Sequence, residues 1–464
     1  MSDQEVTRRA VIVGAGPSGF YTADQLLKQG FQVDMIDVLP TPFGLVRSGV
    51  APDHPNIKTV TRVYEKIARR EGFRFFGGLA LGRDVSRQDL LDRYHVVVYA
   101  IGTSDDNRLG IPGEDRPGSY PATRFVAWYN GHPDAADERF DLDVERAVVV
   151  GNGNVALDVA RMLVLEPEEL AVTDTADHAI EALSGSSIRE VVVLGRRGPA
   201  QAAFTNPELR ELADLKRAGV VVDPKDLELD EASARWLEEE ADPTARRNVE
   251  LLREYAAQGP REGTTHRVVL RFLTSPVEIL GEGEDGPVTG VRVVRNRIEE
   301  QDGRLCAVPT GEEEVIECGL VLRSIGYRGR PVADLPFDER RGLIRNEGGR
   351  VCGEDGEPCV GEYVVGWIKR GPSGVIGTNK KDAADTVAKV IEDVEAGRVR
   401  EPQVDDPEEI RAWLLSRAED VVTWEGWEAI DEREKALGEP QGRPRVKLVR
   451  YQDLFEAGRA AAAK

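Results

Sequence analysis

Cysteine is scarce in this chain. Its four copies, Cys306, Cys318, Cys352 and Cys359, include no Cys-x-x-Cys pair, which excludes a redox-active dithiol and a thiolate-held iron–sulfur cluster. All four are expected to serve as small buried apolar residues. Histidine is nearly as rare, with five scattered copies that share no helical or strand spacing, so no metal site is expected. No apolar run approaches the roughly 20 residues that span a bilayer. Arg8-Arg9 precedes the apolar Ala10-Val11-Ile12-Val13, but that run stops at a glycine motif with no cleavage pattern, which points to a cytoplasmic chain. Positive charge is short too: 61 basic residues stand against 83 acidic ones, a net charge of −22. Neither nucleic acid nor an anionic membrane is therefore expected as a general partner.

What the chain does have is glycine in two ordered places. Gly14-Ala15-Gly16-Pro17-Ser18-Gly19 follows Val11-Ile12-Val13, and Gly151-Asn152-Gly153-Asn154-Val155-Ala156 follows Ala147-Val148-Val149-Val150. A buried strand leading through such a turn into a helix is a dinucleotide-binding fingerprint. Its first glycine permits the tight turn, its second lets backbone N–H groups approach a pyrophosphate, and its third, or an alanine such as Ala156, lets helix and strand pack closely. After the first motif, Tyr21, Leu26 and Leu27 have helical spacing over 20–28 and Gly30 closes the helix. A strand over 31–36 then leads to Asp37, about 20 residues past the glycines, where a carboxylate accepts hydrogen bonds from an adenosine ribose. After the second motif comes an apolar-faced helix over 155–165, and the strand over 191–194 ends not at an acid but at Gly195-Arg196-Arg197. An acid there would repel a ribose 2′-phosphate, whereas two guanidiniums hold one through forked, charge-assisted hydrogen bonds. The second site is expected to select NADP(H) over NAD(H).

At 464 residues the chain is long enough for two or three domains. Val96-Val97-Val98-Tyr99-Ala100-Ile101-Gly102 and Leu320-Val321-Leu322-Arg323-Ser324-Ile325-Gly326 are related strand ends, and the whole second unit lies between them. The expected class is α/β, with one dinucleotide domain (106–327) inserted in another (1–105 and 328–464, extended from about 401). Within the insert, a helix over 236–257 precedes an antiparallel meander over 267–298. Beyond it, a strand over 363–365 and a helix over 382–396 follow. Gly374-Val375-Ile376-Gly377-Thr378 reads as a loop entering a helix, whose free N–H groups and dipole can stabilise negative charge. Lys58, Arg62, Lys66, Arg69 and Arg70 recur about every four residues, along one helical face. On so acidic a background such a stripe could receive an acidic protein.

Three blocks then join up: Leu39-Pro40-Thr41-Pro42-Phe43-Gly44-Leu45-Val46-Arg47-Ser48 through Pro52-Asp53-His54-Pro55, Gly195-Arg196-Arg197-Gly198-Pro199 through Pro207-Glu208-Leu209-Arg210-Glu211-Leu212, and Gly366-Trp367-Ile368-Lys369-Arg370-Gly371-Pro372-Ser373-Gly374 through Asn379-Lys380. Together they closely resemble the adrenodoxin reductase-like ferredoxin–NADP reductases, bacterial members included, over nearly the entire chain. The resemblance implies two Rossmann-like domains, an NADP domain inserted in an FAD domain. It also implies FAD and NADP(H) as cofactors, a ferredoxin as partner, and hydride transfer from NADPH to FAD N5 followed by single-electron transfer. Beside Gly14, Gly16, Gly19 and Asp37, it places Ala15, Leu45, Leu81, Trp367, Gly374, Val375 and Ile376 at the FAD. Beside Arg196 and Arg197, it places Asn152, Gly153, Asn154, Val155, Glu208 and again Gly374 at the NADP. His54 and Glu211 are implied as an ionic pair at the active site. Hydride transfer needs orientation and exclusion of water rather than a general base, so positioning the nicotinamide is the role expected of them. Ser48 stands where an aromatic is usual and Ile101 where a threonine is usual; neither carries chemistry. A disulfide reductase is disfavoured by the missing cysteine pair, and an NADPH-sensing flavoprotein without a redox partner is the alternative.

Overall fold

Ala10, Val11, Ile12 and Val13 leave no polar face, and a strand with that composition belongs inside a parallel sheet covered on both sides. The computed structural model, which describes residues 8–404 and 406–462, has it there. The strand Arg9–Val13 is buried along its length and lies parallel between Gln32–Asp37 and Val96–Tyr99. Asp106–Ile325 form one compact unit, and the residues before and after it form the other. The boundary falls two residues short of the expected 327.

In the outer unit, five parallel strands run in the order Pro358–Val364, Val96–Tyr99, Arg9–Val13, Gln32–Asp37, Phe73–Gly77, with short antiparallel strands at both edges. One of those edges, Val422–Thr423, comes from the C-terminal extension and pairs with Phe73–Gly77. The inserted unit has six parallel strands in the order Ser119–Pro121, Leu320–Arg323, Arg146–Val150, Glu190–Leu194, His266–Arg271, Ala218–Val222. A separate antiparallel sheet of Thr274–Gly281, Val288–Gln301 and Arg304–Glu317 accompanies it. Among the described residues, no helix is long and apolar enough to cross a membrane.

Several expectations need correction. The segment over 267–271 belongs to the parallel sheet, and the meander starts at Thr274; β-branched content is the same in both settings, and only the pairing strands distinguish them. The single helix expected over 236–257 is two, Glu231–Glu239 and Pro243–Gln258. Asp242 accepts a hydrogen bond from the Ala245 N–H at 3.0 Å and Pro243 follows it, a start signal inside the apolar periodicity. Only Cys318 and Cys352 are buried, while Cys306 and Cys359 are half-buried on strands. The basic stripe is broken as well. Lys58 ends a separate short helix, Pro55–Lys58, Arg69 pairs with Glu428 and Arg70 with Asp24, and Arg62 and Lys66 are left exposed on the helix Thr61–Ala68.

Among the described residues, Phe43, Leu273, Asp302 and Asp334 are non-glycines with a positive φ, and Phe43 has the largest. Phe43 has φ 85°, a left-handed conformation that costs a bulky residue about 1–3 kcal/mol. Its buried ring stands 5.5 Å from Phe20, 6.0 Å from Tyr64, 6.3 Å from Trp424 and 5.4 Å from Trp427. Aromatic pairs contribute about 0.5–1.5 kcal/mol each beyond their burial, so four of them are of the size needed to offset the strain.

Candidate functional site

The outer unit's glycine turn is held by backbone contacts that admit no side chain. Gly14 has φ 113°, its N–H donates to the Ile36 carbonyl at 2.8 Å, and a Cβ there would lie 2.3 Å from the Ala100 carbonyl oxygen. At Gly19 a Cβ would lie 2.1 Å from the Gly14 carbonyl oxygen. Gly16 is different, because a Cβ would meet nothing within 4 Å. Gly16 caps the helix Pro17–Lys28 without any side-chain hydrogen bond, so the first N–H groups of that helix face open space with the positive end of its dipole.

Asp37 closes the turn from the other side. Its carboxylate accepts hydrogen bonds from the Ala15 N–H at 2.6 Å and the Leu39 N–H at 2.8 Å. Burial outweighs those bonds and pushes its pKa up to about 6. Each carboxylate oxygen has one acceptor site left for a ribose hydroxyl. The Ala15 carbonyl accepts from the Phe43 N–H at 2.8 Å, and a Cβ at Gly44 would lie 3.0 Å from the Gly16 Cα. Leu45 is partly exposed at the start of the short helix Leu45–Ser48, and Leu81 bridges to Val85 beyond the strand Phe73–Gly77.

Trp367 opens a helical turn, Trp367–Arg370, directly behind Gly366. Gly366 must be glycine: its φ is 77°, and a Cβ would lie 2.2 Å from Ser18 Oγ of the glycine turn. The Trp367 indole N–H is buried without a hydrogen-bond partner among the described residues. A network that sequence reading missed fixes this segment. Asp382 accepts from the Gly366 N–H at 2.6 Å and from Lys369 at 2.8 Å, and Asn379 Oδ1 accepts from Ser18 at 3.0 Å and Arg370 at 2.8 Å. The block Gly366–Lys380 held most of that signal. In the loop, Gly374 has φ 81° and Val375 is exposed while Ile376 packs on the core. Val375 N–H donates to Thr378 Oγ1 at 3.2 Å, so that donor is not free as expected.

The inserted unit repeats the construction. Gly151 has φ 124°, its N–H donates to the Leu194 carbonyl at 2.9 Å, and a Cβ would lie 2.0 Å from the Ser324 carbonyl oxygen. Gly153 again has open space and caps the helix Asn154–Met162 with no side-chain hydrogen bond. Val155 opens that helix with Asn154. Asn154 Oδ1 accepts from the Thr205 N–H at 2.8 Å, and the Asn152 carbonyl from the Ala203 N–H at 3.2 Å. Arg196 and Arg197 follow the second strand, where the outer unit has Asp37. Their carbonyls are pinned by Asn296 at 2.8 Å and the Leu273 N–H at 3.0 Å, yet both side chains are exposed and make no ion pair among the described residues. Partial desolvation of its guanidinium by the protein around it, followed by the neighbouring Arg196 charge, holds Arg197 below the usual arginine range. Two adjacent uncompensated guanidiniums favour a dianion.

His54, buried, precedes the helix Pro55–Lys58 in the outer unit. Glu208 and Glu211 stand on the helix Asn206–Glu211 of the inserted unit. Buried Arg161 pairs with Glu211 at 3.2 Å, Glu208 at 3.6 Å and Asp158 at 2.8 Å. Arg161 was missed, its only sequence signal being the Asp158/Arg161 spacing on the helix behind the fingerprint.

Residues 8–220 match the family model described as pyridine nucleotide-disulphide oxidoreductase. An NADPH-ferredoxin reductase, FprA, of Mycobacterium tuberculosis is 49% identical over 461 residues, which cover 96% of this chain and 98% of that protein. The mitochondrial NADPH:adrenodoxin oxidoreductase of Arabidopsis thaliana is 44% identical, covering 96% and 94%. The solved structure of Mycobacterium tuberculosis FprA in complex with NADPH superposes with a TM-score of 0.91 at 48% identity, over 97% of this chain and 99% of that one.

Two predictions concern the outer unit. Gly16→Ala should keep the melting temperature of the FAD-free protein while abolishing FAD retention, whereas Gly19→Ala should lower the melting temperature itself, since overpacking costs about 1–3 kcal/mol. Equal melting temperatures for both would contradict the geometry. Ribose hydroxyls donating to Asp37 would favour its charged form, so FAD held there would lower a pKa that starts near 6 and release a proton below that pH. FAD affinity, titrated by fluorescence, should therefore weaken as pH falls through 6, and Asp37→Ala should flatten that dependence.

Proposed function

The chain belongs to the adrenodoxin reductase-like ferredoxin–NADP reductase family, and we propose that it works as an FAD-dependent NADPH:ferredoxin oxidoreductase in the cytoplasm. The observation that carries the reading is the opposite charge at the end of the second strand in two like-built turns, Asp37 in one unit and Arg196 with Arg197, directly after Gly195, in the other. The carboxylate suits the ribose of FAD, and the guanidiniums suit the 2′-phosphate of NADPH. The open faces at Gly16 and Gly153 and the orphaned indole N–H of Trp367 fit a bound dinucleotide in each unit.

When bound, FAD takes two electrons from NADPH and passes them on singly, which joins a two-electron donor to a one-electron acceptor. The chain's own residues bind and orient. The uncapped helix starting at Pro17 meets the FAD pyrophosphate and that starting at Asn154 the NADP pyrophosphate. Trp367 and the loop Gly374–Ile376 bound the flavin ring, with Ala15, Leu45 and Leu81 along the rest of the FAD. Asn152, Val155 and Glu208 line the NADP. Arg161 holds the Glu211 carboxylate, which together with His54 orients the nicotinamide. Arg62 and Lys66, exposed and without ion pairs among the described residues, offer positive charge to an acidic ferredoxin.

Changing Arg196 and Arg197 together to Ala should erase the preference for NADPH over NADH in kcat/KM; an unchanged ratio would sink the NADP assignment. Anaerobic stopped-flow tests the function itself. NADPH should bleach the flavin absorbance, and a purified ferredoxin added next should restore it at a rate that falls with salt, since screening weakens charge steering. His54→Ala should slow bleaching more than it weakens NADP binding. An enzyme that NADPH fails to bleach is a sensor, not a reductase.

A further inference from the structure

The C-terminal extension reaches back to the segment lying on the glycine turn, and does so through a buried charge. Glu434, on the helix Trp424–Gly438, is fully buried. It accepts hydrogen bonds from both terminal nitrogens of the Arg47 guanidinium, at 2.6 and 2.9 Å, as well as from Arg445 at 3.1 Å and the Leu448 N–H at 2.9 Å. Burial works to raise its pKa, and the Arg47 and Arg445 charges outweigh burial and hold it below the usual carboxylate range. Lys447 donates to the Arg47 carbonyl at 3.1 Å, and the Arg47 guanidinium lies 5.3 Å from the centre of the Trp427 ring.

Arg47 belongs to the same short helix as Leu45, and that helix begins directly after Phe43-Gly44. Phe43, left-handed at φ 85°, donates to the Ala15 carbonyl, and Gly44 sits against Gly16. A strained segment keeps such a conformation only while its surroundings over-determine it. Here those surroundings include the extension, through Trp424 and Trp427 on the Phe43 ring and Glu434 on Arg47.

We propose that Glu434 is a positioning residue of the flavin site: through Arg47 it holds the segment Phe43–Ser48 against the glycine turn, making the C-terminal extension part of the FAD-binding apparatus. The inference rests on the reading of the Gly14–Gly19 turn as the FAD site.

The test compares the full-length protein with Arg47→Met, Glu434→Gln and Asp393→Asn. Arg47→Met leaves Glu434 neutralised by Arg445, so it loosens the segment without stranding a buried charge. Asp393 is a comparably buried carboxylate of the same unit, paired with Arg350 and Arg398 at 2.7 Å and outside the segment. Each variant is stripped of flavin, checked by circular dichroism and thermal melting, and titrated with FAD by fluorescence quenching. Arg47→Met and Glu434→Gln should weaken FAD binding about tenfold or more, as the loss of one or two hydrogen-bonding contacts would, with the KM for NADPH of the reloaded enzyme unchanged. Asp393→Asn should lower the melting temperature and keep FAD affinity within about twofold. Wild-type FAD affinity in Arg47→Met and Glu434→Gln overturns the proposal, and so does an equal loss in all three variants, which would report general stability. Failure of the wild-type protein to bind FAD would instead overturn the reading of the site.

Discussion

A methyl group has no place at the first glycine of either turn, because a carbonyl oxygen just past the neighbouring strand occupies it: Ala100 against Gly14 and Ser324 against Gly151. That constraint sets everything downstream. The chain can leave its central strand only with a positive φ, at 113° and 124°, and this turn starts the next helix without a side-chain cap. The uncapped N–H groups of the helix then lie beside the second glycine, where a side chain would meet nothing within 4 Å. Steric exclusion at one atom thereby creates electrostatic attraction a few ångström away.

On this shared frame, charge at the end of the second strand makes the difference. In the outer unit a carboxylate is bound to the turn itself, through the Ala15 and Leu39 N–H groups. Burial penalises its charge, so neutral ribose hydroxyls are welcome donors there and a phosphate is not. In the inserted unit two guanidiniums stand side by side with their backbone tied down and, among the described residues, no ion pair to answer their charges. In a chain of net charge −22, an uncompensated arginine pair is a local exception, and its repulsion is relieved by an anion.

The outer unit's turn also depends on residues far from it in sequence. Phe43 is strained, and its strain is offset by rings from three stretches of chain, Phe20, Tyr64, and Trp424 with Trp427. The glycine turn is thus not self-sufficient: the Phe43 N–H and Gly44 complete its outer wall.

The α/β class, both turns, Asp37 and the Arg196-Arg197 pair were legible in the sequence, because glycine sterics and the strand–turn–helix order act within a few neighbouring residues. Trp367 was legible as a residue, but not its place at the head of a helical turn, and the basic stripe looked continuous because spacing does not reveal that Arg69 and Arg70 are claimed by Glu428 and Asp24. Residue types and local order by themselves determined which segments could cradle a dinucleotide and which charge each would present. Only the tertiary structure decided what holds those segments in place, such as Arg161 gathering Glu208 and Glu211 or Glu434 meeting Arg47 across 387 residues. Ion pairs and ring contacts join whatever folding brings within a few ångström, and no local pattern records that distance.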